Sequence, residues 1–183
     1  MKLDIHDETE MPSGVTVGYK DGILTITGPK GEVSRPLRDP RLAISASGDT
    51  LLIACENASR REKRMANTFN AHVENMIAGV QEPYRYKLKI CSGHFPMNVA
   101  VQGDQFVVKN FLGEKFPRVL KLKKGAVVKV EGEFITVESC DKDLAGRIAS
   151  DIELLTAKRN RDLRVFQDGI YMIEKANQKL EAS

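Results

Sequence analysis

The residues with the clearest chemical potential lie in residues 110–118, where basic and aromatic side chains are interleaved. Lys115 and Arg118 can donate hydrogen bonds to phosphate oxygens. Phe111 and Phe116 can stack on unpaired bases. Because phenylalanine is commonly buried, two core residues are the alternative interpretation of the same rings. The segment therefore indicates nucleic-acid binding and leaves the role of each ring open.

A second basic segment, residues 158–164, carries four basic residues and one acid in seven positions. Because like charges repel one another, we expect this loop to be mobile in the free protein. It stands between a predicted helix and a final strand, and a tethered loop loses less entropy on docking than a free tail. We therefore expect Arg159, Arg161 and Arg164 to make bidentate phosphate contacts. A solvated charged loop is the alternative.

Catalysis and cofactor binding have little support in the sequence. The three histidines, His6, His72 and His94, show no spacing that unites a nucleophile, a base and a group that orients the base. Residues 28–31, Gly-Pro-Lys-Gly, are too short for a phosphate-binding loop, and no cysteine–histidine set has metal-ligand spacing. We therefore expect no enzyme activity, no cofactor and no metal. An enzyme that processes RNA or a nucleotide is the rival interpretation.

Length and charge limit the architecture and the partners. The chain has 183 residues, 42% of them hydrophobic, which suffices for one ordinary domain or two small ones. Its net charge is +3, yet residues 85–124 alone hold nine basic and two acidic residues. A local basic surface on a nearly neutral protein indicates a polyanionic partner at one face, and a solvated lysine-rich sheet is the alternative.

The cysteines and the apolar runs indicate a cellular compartment. Cys55, Cys91 and Cys140 are odd in number and far apart, which is typical of buried thiols in a reducing compartment. The acidic residues 1–11 lack the apolar core of a signal peptide, and no apolar run approaches the about 18 residues of a membrane span. We therefore expect a cytoplasmic protein.

The elements that must position the basic segments are predicted by periodicity. Apolar alternation in the first half predicts hairpins that turn at Asp21-Gly22 and at Gly48-Asp49. Ser59 and Glu62 then have the capping-box spacing of a helix start. Gly79 is the candidate C-cap of that helix, which we expect to end near residue 78.

The second half repeats this order. Its hairpins turn at Gly103 and Gly132, its helix is capped by Asp141, and residues 86–90 predict an additional strand before them. We therefore predict an α+β fold of two tandem duplicated domains, each an antiparallel β-sheet packed against one α-helix. A boundary near Pro83 gives an N-terminal repeat of residues 1–82 and a C-terminal repeat of residues 83–183 with a short tail.

Short motifs in both halves carry a resemblance. They include Gly28-Pro29-Lys30-Gly31, His94-Phe95-Pro96-Met97, Asn110-Phe111-Leu112-Gly113-Glu114-Lys115 and Phe166-Gln167-Asp168-Gly169-Ile170-Tyr171. In this order, over roughly residues 12–175, the chain resembles the family of large-subunit ribosomal protein six, in its archaeal and eukaryotic branch. Each motif alone is weak, and their order and coverage carry the resemblance.

The resemblance implies a structural protein of the large ribosomal subunit that contacts 23S-type rRNA, mainly through its C-terminal domain. It implies a position near the sarcin–ricin loop and the region where translation factors bind. The implied partners are large-subunit rRNA, neighbouring large-subunit proteins and, by proximity, translation factors. An RNA-binding protein that acts outside the ribosome is the alternative.

The resemblance also extends the set of expected rRNA contacts. Asp141-Lys142 and Gly146 match the family's pattern at the second helix, but Ala145-Gly146-Arg147 replaces Val-Gly-Gln. The role of a glutamine amide therefore does not carry over, and Arg147 becomes a candidate phosphate contact. The expected rRNA-binding residues are Lys87, Lys89, His94, Lys109, Asn110, Phe111, Gly113, Lys115, Arg118, Lys142, Gly146, Arg147, Lys158, Arg159, Arg161, Arg164, Gln167, Asp168 and Gly169.

Overall fold

The computed structural model describes residues 3–47, 49–158, 160–162 and 164–180. It divides the chain into two compact units, Met1–Pro83 and Tyr84–Ser183. We call them the first and the second unit. Gly48 at a predicted turn and Arg159 in the basic loop lie outside the described residues.

In the first unit, the described strands form two antiparallel sheets. The strands are β1 (Leu3–Glu10), β2 (Thr16–Lys20), β3 (Ile23–Gly28), β4 (Gly31–Pro36), β5 (Ala43–Ser47) and β6 (Thr50–Ala58). Their orders are β1-β6-β5 and β2-β3-β4. The helix α1 (Arg60–Gln81) follows β6 and packs on strands of both sheets.

The start of α1 agrees with the sequence prediction, and its end does not. The Ser59 side chain accepts the backbone N–H of Arg61, and Glu62 accepts the backbone N–H of Ser59, which completes the capping box. Gly79 is buried inside the helix, and the C-cap is Glu82, so the predicted C-cap is wrong. The Lys30 N–H donates to the Val80 carbonyl over 3.0 Å. This bond gives a partner to one of the carbonyls in the last turn of α1, which otherwise lack one. The helix therefore extends beyond Gly79 and needs no glycine cap.

The second unit has the same elements and two further strands. They are β7 (Tyr84–Cys91), β8 (Asn98–Gln102), β9 (Gln105–Lys109), β10 (Arg118–Lys121), β11 (Val127–Glu131), β12 (Phe134–Ser139), α2 (Lys142–Leu155), β13 (Gly169–Lys175) and β14 (Gln178–Lys179). The sheet orders are β10-β9-β8 and β11-β12-β7-β13-β14. Asp141 caps α2 as predicted, with its side chain accepting the Asp143 N–H.

The strand orders confirm the duplicated α+β fold, with the strands of each unit divided between two sheets. The order β1-β6-β5 recurs as β7-β12-β11, and β2-β3-β4 recurs as β8-β9-β10. Equivalent hydrogen bonds lie at the ends of β1 and β7. The Met11 N–H, directly after β1, donates to the Asp49 carbonyl over 2.7 Å. The Ile90 N–H, near the end of β7, donates to the Glu133 carbonyl over 2.8 Å. The strand predicted as additional, β7, is therefore the counterpart of β1, and the additional strands are β13 and β14.

Each helix closes a core of its own unit. In the second unit, Leu88, Phe106, Ile135 and Ile148 are at most 2% exposed. Fully burying a side chain of this kind contributes about 1.5–3 kcal/mol, so these residues hold the sheets against α2. Neither described helix is both long and apolar enough to cross a bilayer.

Candidate nucleic-acid interface

Lys158, after the end of α2, binds residues that precede and begin β13. Its ammonium group donates to the Phe166 carbonyl (2.6 Å), the Asp168 carbonyl (2.5 Å) and the Tyr171 hydroxyl (2.9 Å). A lysine ammonium has three donors, and all three are used inside the protein. Lys158 therefore holds Phe166, Asp168 and Tyr171 together within the second unit, and its contact with rRNA stays a prediction.

Asp168 is a second internal anchor. Its carboxylate is 1% exposed and accepts the backbone N–H groups of Gly93 (2.6 Å) and His94 (2.9 Å). It also lies 2.6 Å from Nδ1 of His94. Burial raises the pKa of this carboxyl, but the hydrogen bonds from His94 and Gly93 outweigh burial and lower the pKa to about 2. Asp168 therefore positions His94 from within the protein, and its direct contact with rRNA stays a prediction.

Two anchors together hold an aromatic and cationic group that we call the His94 stack, formed by His94, Phe166 and Arg161. The His94 and Phe166 rings stack with centroids 5.0 Å apart and an angle of 30° between their planes. The Arg161 guanidinium lies 5.0 Å from the centroid of the Phe166 ring. The His94 side chain is 40% exposed, and Arg161 is exposed. The stack thus offers an imidazole edge and a guanidinium to an outside partner.

A wide cleft of about 970 Å³ opens beside the stack. It is lined by Lys89, His94, Met97, Asn98 and Gln167, among other residues of the second unit. Lys89 and Gln167 are exposed, so the cleft presents a cation and an amide as well as the imidazole. This combination suits a partner that carries phosphates and hydrogen-bonding base edges.

Residues 110–118 form a tight loop after β9. Asn110 and Leu112 have φ angles of 59° and 48°, and the Asn110 side chain donates to the Pro96 carbonyl over 3.1 Å. Phe111 is 1% exposed and belongs to the core, so its ring is not available for base stacking, and its contact with rRNA stays a prediction without structural support. Phe116 is 84% exposed. Of the two interpretations of these rings, burial applies to Phe111 and exposure to Phe116.

Arg118 has a structural role in this loop. Its guanidinium donates to both carboxylate oxygens of Glu114 (2.8 and 2.6 Å) and to the Leu155 carbonyl (2.7 Å). It also covers the Phe111 ring at 4.3 Å from the centroid. The hydrogen bond from Arg118 lowers the pKa of the Glu114 carboxyl despite partial burial. Arg118 therefore fastens the loop to the end of α2, while Lys115 stays exposed.

Several other predicted residues serve packing. A Cβ on Gly146 would lie 3.0 Å from the Tyr86 hydroxyl oxygen, so the glycine allows α2 to approach β7. Gly169 is buried, and a Cβ there would lie 3.3 Å from the Tyr171 ring. Each glycine thus makes room for a neighbour, and its contact with rRNA stays a prediction.

The remaining predicted cations are distributed over the second unit. Lys87 lies over the Phe134 ring at 4.4 Å, and Lys142 over the Tyr84 ring at 5.5 Å. Arg164 pairs with Asp162, whose carboxylate accepts its guanidinium at 3.2 and 3.1 Å. The exposed residues of the predicted set are Lys89, His94, Lys109, Asn110, Gly113, Lys115, Arg147, Arg161, Arg164 and Gln167.

The sequence prediction missed Phe166 as a platform. Its ring organises the His94 stack, yet the contact joins two segments that lie far apart in the chain. No local sequence pattern predicts a contact between such distant segments. The family motif that contains Phe166 was the sequence feature that could have indicated it.

Charge separates the two units. Residues 1–83 carry a net charge of −2 and residues 84–183 carry +5. The second unit is therefore the cationic one.

Among the residues that the structure describes, no group of three or more histidine, cysteine, aspartate or glutamate side chains is placed to hold a metal ion.

Comparison with known proteins then identifies the family. The family described as ribosomal protein L6 matches residues 11–83 and 95–169, one segment in each unit. The chain belongs to this family. Membership of the ribosomal protein L6 family confirms the predicted family and agrees with the expectation that the chain is not an enzyme.

Relatives of the ribosomal protein L6 family match nearly the whole chain. The large ribosomal subunit protein uL6 of Nanoarchaeum equitans is 41% identical, with 94% of each chain covered. The proteins of the same name from Aeropyrum pernix and Methanococcus vannielii are 39% and 36% identical. Those alignments cover 96% of this chain and 98% and 97% of the respective relatives. These archaeal relatives support the archaeal side of the predicted archaeal and eukaryotic branch.

Proposed function

We propose that the chain is a structural constituent of the large ribosomal subunit and binds 23S-type rRNA near the sarcin–ricin loop and the translation-factor-binding region. One observation carries the proposal: relatives named as large-subunit proteins are similar over almost their full length. The proposed partners are large-subunit rRNA, neighbouring ribosomal proteins and, by proximity, translation factors. The proposed location is the cytoplasmic ribosome.

The second unit supplies the proposed rRNA contacts through two groups of exposed side chains. Lys89, Arg161 and Gln167 surround the cleft and the His94 stack. Lys109 ends β9, and Lys115 lies in the loop that follows it. Lysine and arginine neutralise phosphates and release counterions, which gives affinity that depends on salt. The net charge of the second unit supports this assignment.

Phe116 is the proposed stacking contact. Its ring is 84% exposed and follows Lys115 directly, so an aromatic face and an ammonium group project from the same loop. Unpaired RNA bases stack on aromatic side chains while neighbouring phosphates bind cations. The role that the sequence suggested for two rings thus passes to Phe116 alone.

Preorganisation favours docking at this surface. Lys158 and Asp168 hold the His94 stack, and Arg118 holds the loop after β9. Since these groups are ordered before RNA arrives, less conformational entropy is lost on binding. The internal anchors therefore contribute to affinity without touching the RNA.

Sedimentation of a native cell extract tests the proposal. We expect the protein to migrate with large subunits, and a triple variant, Lys89→Gln, Lys115→Gln and Arg161→Gln, to assemble poorly while remaining folded. The matched control removes the same charge from the first unit with Lys20→Gln, Arg61→Gln and Lys63→Gln, and should assemble normally.

Three results would contradict the proposal. A wild-type protein that stays at the top of the gradient would favour an RNA-binding role outside the ribosome. Equal assembly of the two triple variants would remove the second-unit cations from the interface. Turnover of RNA or nucleotides by the purified chain would favour the enzyme alternative.

A further inference from the structure

We propose that the outer edge of β1 is a docking site for an extended basic segment of another protein, which adds to the sheet as an antiparallel strand. The site lies in the first unit and uses backbone groups together with the carboxylates of Glu8 and Glu10. This inference is independent of rRNA binding by the second unit.

The second unit shows how this edge is filled. There β13 lies beside β7, the counterpart of β1, with Tyr171 opposite Lys89 and Met172 opposite Leu88. In the first unit, β1 ends its sheet and pairs only with β6 among the described strands. An edge strand carries a row of N–H and C=O groups that can template another strand. The repeated fold therefore has an occupied edge in one unit and an available one in the other.

The backbone groups that face this edge follow from the register. Met11 N–H donates to the Asp49 carbonyl at the start of β6, so the Met11 backbone points toward β6. Because successive residues of a strand point their N–H and C=O groups to opposite sides, those of Glu10, Glu8 and His6 point away from β6. Pro12 has no N–H and limits the site on one side.

The side chains along β1 select the kind of partner. Asp4 accepts the Asn57 N–H and Asp7 accepts the Asn70 side-chain amide, both over 2.8 Å, so these two carboxylates bind within the first unit. His6, Glu8 and Glu10 lie at every second position of β1 and are exposed. A residue opposite Glu8 or Glu10 has its side chain on the same face, where lysine or arginine would pair with the carboxylate. The matching segment therefore has basic residues at alternate positions.

The same charges disfavour other occupants. A second copy of β1 would bring glutamates opposite glutamates, which destabilises a strand pair. RNA is a polyanion and would be repelled by the same carboxylates. Strand addition uses backbone hydrogen bonds for affinity and alternate side chains for specificity, and both requirements are met by a basic peptide.

Peptide binding to the full-length chain tests the proposal. The probe is acetyl-Lys-Val-Lys-Thr-Lys-Val-Lys-amide, and the readout is the amide NMR spectrum of the labelled protein. We expect shifts and slowed hydrogen exchange at His6, Glu8 and Glu10. In the predicted pairing the lysine N–H groups face β1, so N-methylation of the lysines should weaken binding at least about tenfold.

Protein variants supply the matched controls. Glu8→Gln with Glu10→Gln removes two exposed carboxylates and should weaken binding of the probe several-fold. Glu32→Gln changes an exposed glutamate on β4, at the edge of the other sheet, and should leave binding unchanged. The unchanged spectrum of the remaining residues would show that the variants are folded.

Several outcomes would overturn the inference. Equal binding of the N-methylated probe would mean that only charge is recognised. Shifts at another surface, or equal binding of the probe with glutamate in place of lysine, would remove β1 as the site. Self-association of the free chain through β1, or protection of the β1 amides by RNA, would identify a different occupant.

Discussion

Asp168→Ala should destabilise the second unit selectively, because this carboxylate joins the segment before β13 to the segment after β7. The substitution leaves the N–H groups of Gly93 and His94 without their acceptor and releases the His94 ring. An orphaned buried donor costs about 1–3 kcal/mol. Since both residues border the cleft, water can replace part of the loss. We expect the free energy of unfolding of the second unit to fall by about 2–3 kcal/mol.

The Asp168→Asn variant isolates the charge. A carboxyl whose pKa falls from 3.8 to about 2 contributes about 2 kcal/mol of stability, and nearer 1 kcal/mol once the exposed His94 ring beside it is considered. Because the folded pKa lies below the unfolded value, this contribution is present above about pH 4 and is lost as the pH falls toward about 2. The difference between wild type and Asp168→Asn should shrink over that interval.

Urea unfolding followed by amide NMR measures both effects in the full chain. The Leu88 amide reports on the second unit, and the Val73 amide in the first unit serves as an internal reference. Asp162→Asn is the matched control, because Asp162 is an exposed carboxylate of the same loop and should matter little. Wild-type stability of Asp168→Ala would refute the anchoring role. A difference between wild type and Asp168→Asn that stays constant from about pH 6 to about pH 2 would refute the charge argument.

Three further predictions concern other residues of the second unit. Lys158→Met should lower the free energy of unfolding by about 2–4 kcal/mol, measured by chemical denaturation, because three internal hydrogen bonds are lost; wild-type stability would contradict it. Gly146→Ala places a Cβ against the Tyr86 hydroxyl, and this crowding, about 2 kcal/mol, should exceed the about 1 kcal/mol that alanine gains over glycine inside a helix. We expect a net loss of about 1 kcal/mol in thermal unfolding, and an unchanged melting temperature would contradict it. Lys115→Gln should reduce the log–log salt slope of rRNA-fragment binding by about one unit without changing stability, and Lys20→Gln should not change that slope.

The repeated fold was accessible from the sequence because its signals are local. Alternating apolar residues, Gly–acid turns and the Ser59–Glu62 spacing each act within a few residues, and the structure forms the corresponding hairpins and helix start. The end of α1 was not predictable in this way. It depends on the Lys30–Val80 hydrogen bond, which joins a β-turn to a helix end far along the chain.

The composition of the basic segments could be predicted to matter, but the role of each residue in them could not. Basic residues and aromatic rings indicated the second unit, which carries the positive net charge, yet a sequence does not show which cations bind within the protein. Lys158 and Arg118 have their donors directed at internal carbonyls and carboxylates, while Lys115 and Arg161 remain exposed. The partners of Lys158 and Arg118 are set by tertiary packing, so identical residue types in one basic segment acquire different functions.

The counterpart of β1 was misassigned for a related reason. In β7 the residues Tyr84, Tyr86 and Leu88 alternate as buried positions, which gives a clear strand pattern. In β1 the equivalent face includes Asp7, whose carboxylate binds Asn70 of α1. A polar contact between β1 and the helix thus conceals the repeat from a comparison based on hydrophobicity.

The strand that distinguishes the second unit also explains why the His94 stack forms there. β13 pairs with β7 so that Gly169 lies opposite Cys91. Because the strands are antiparallel, Asp168, directly before Gly169, must lie beside Gly93 and His94, which follow Cys91. Filling the edge of the sheet therefore places the carboxylate against the backbone donors that it anchors. The first unit has no described strand at the equivalent edge, so the same duplicated fold keeps an acidic, available strand there. One added strand thus accounts for the position of the His94 stack in the second unit and for the available edge of β1 in the first.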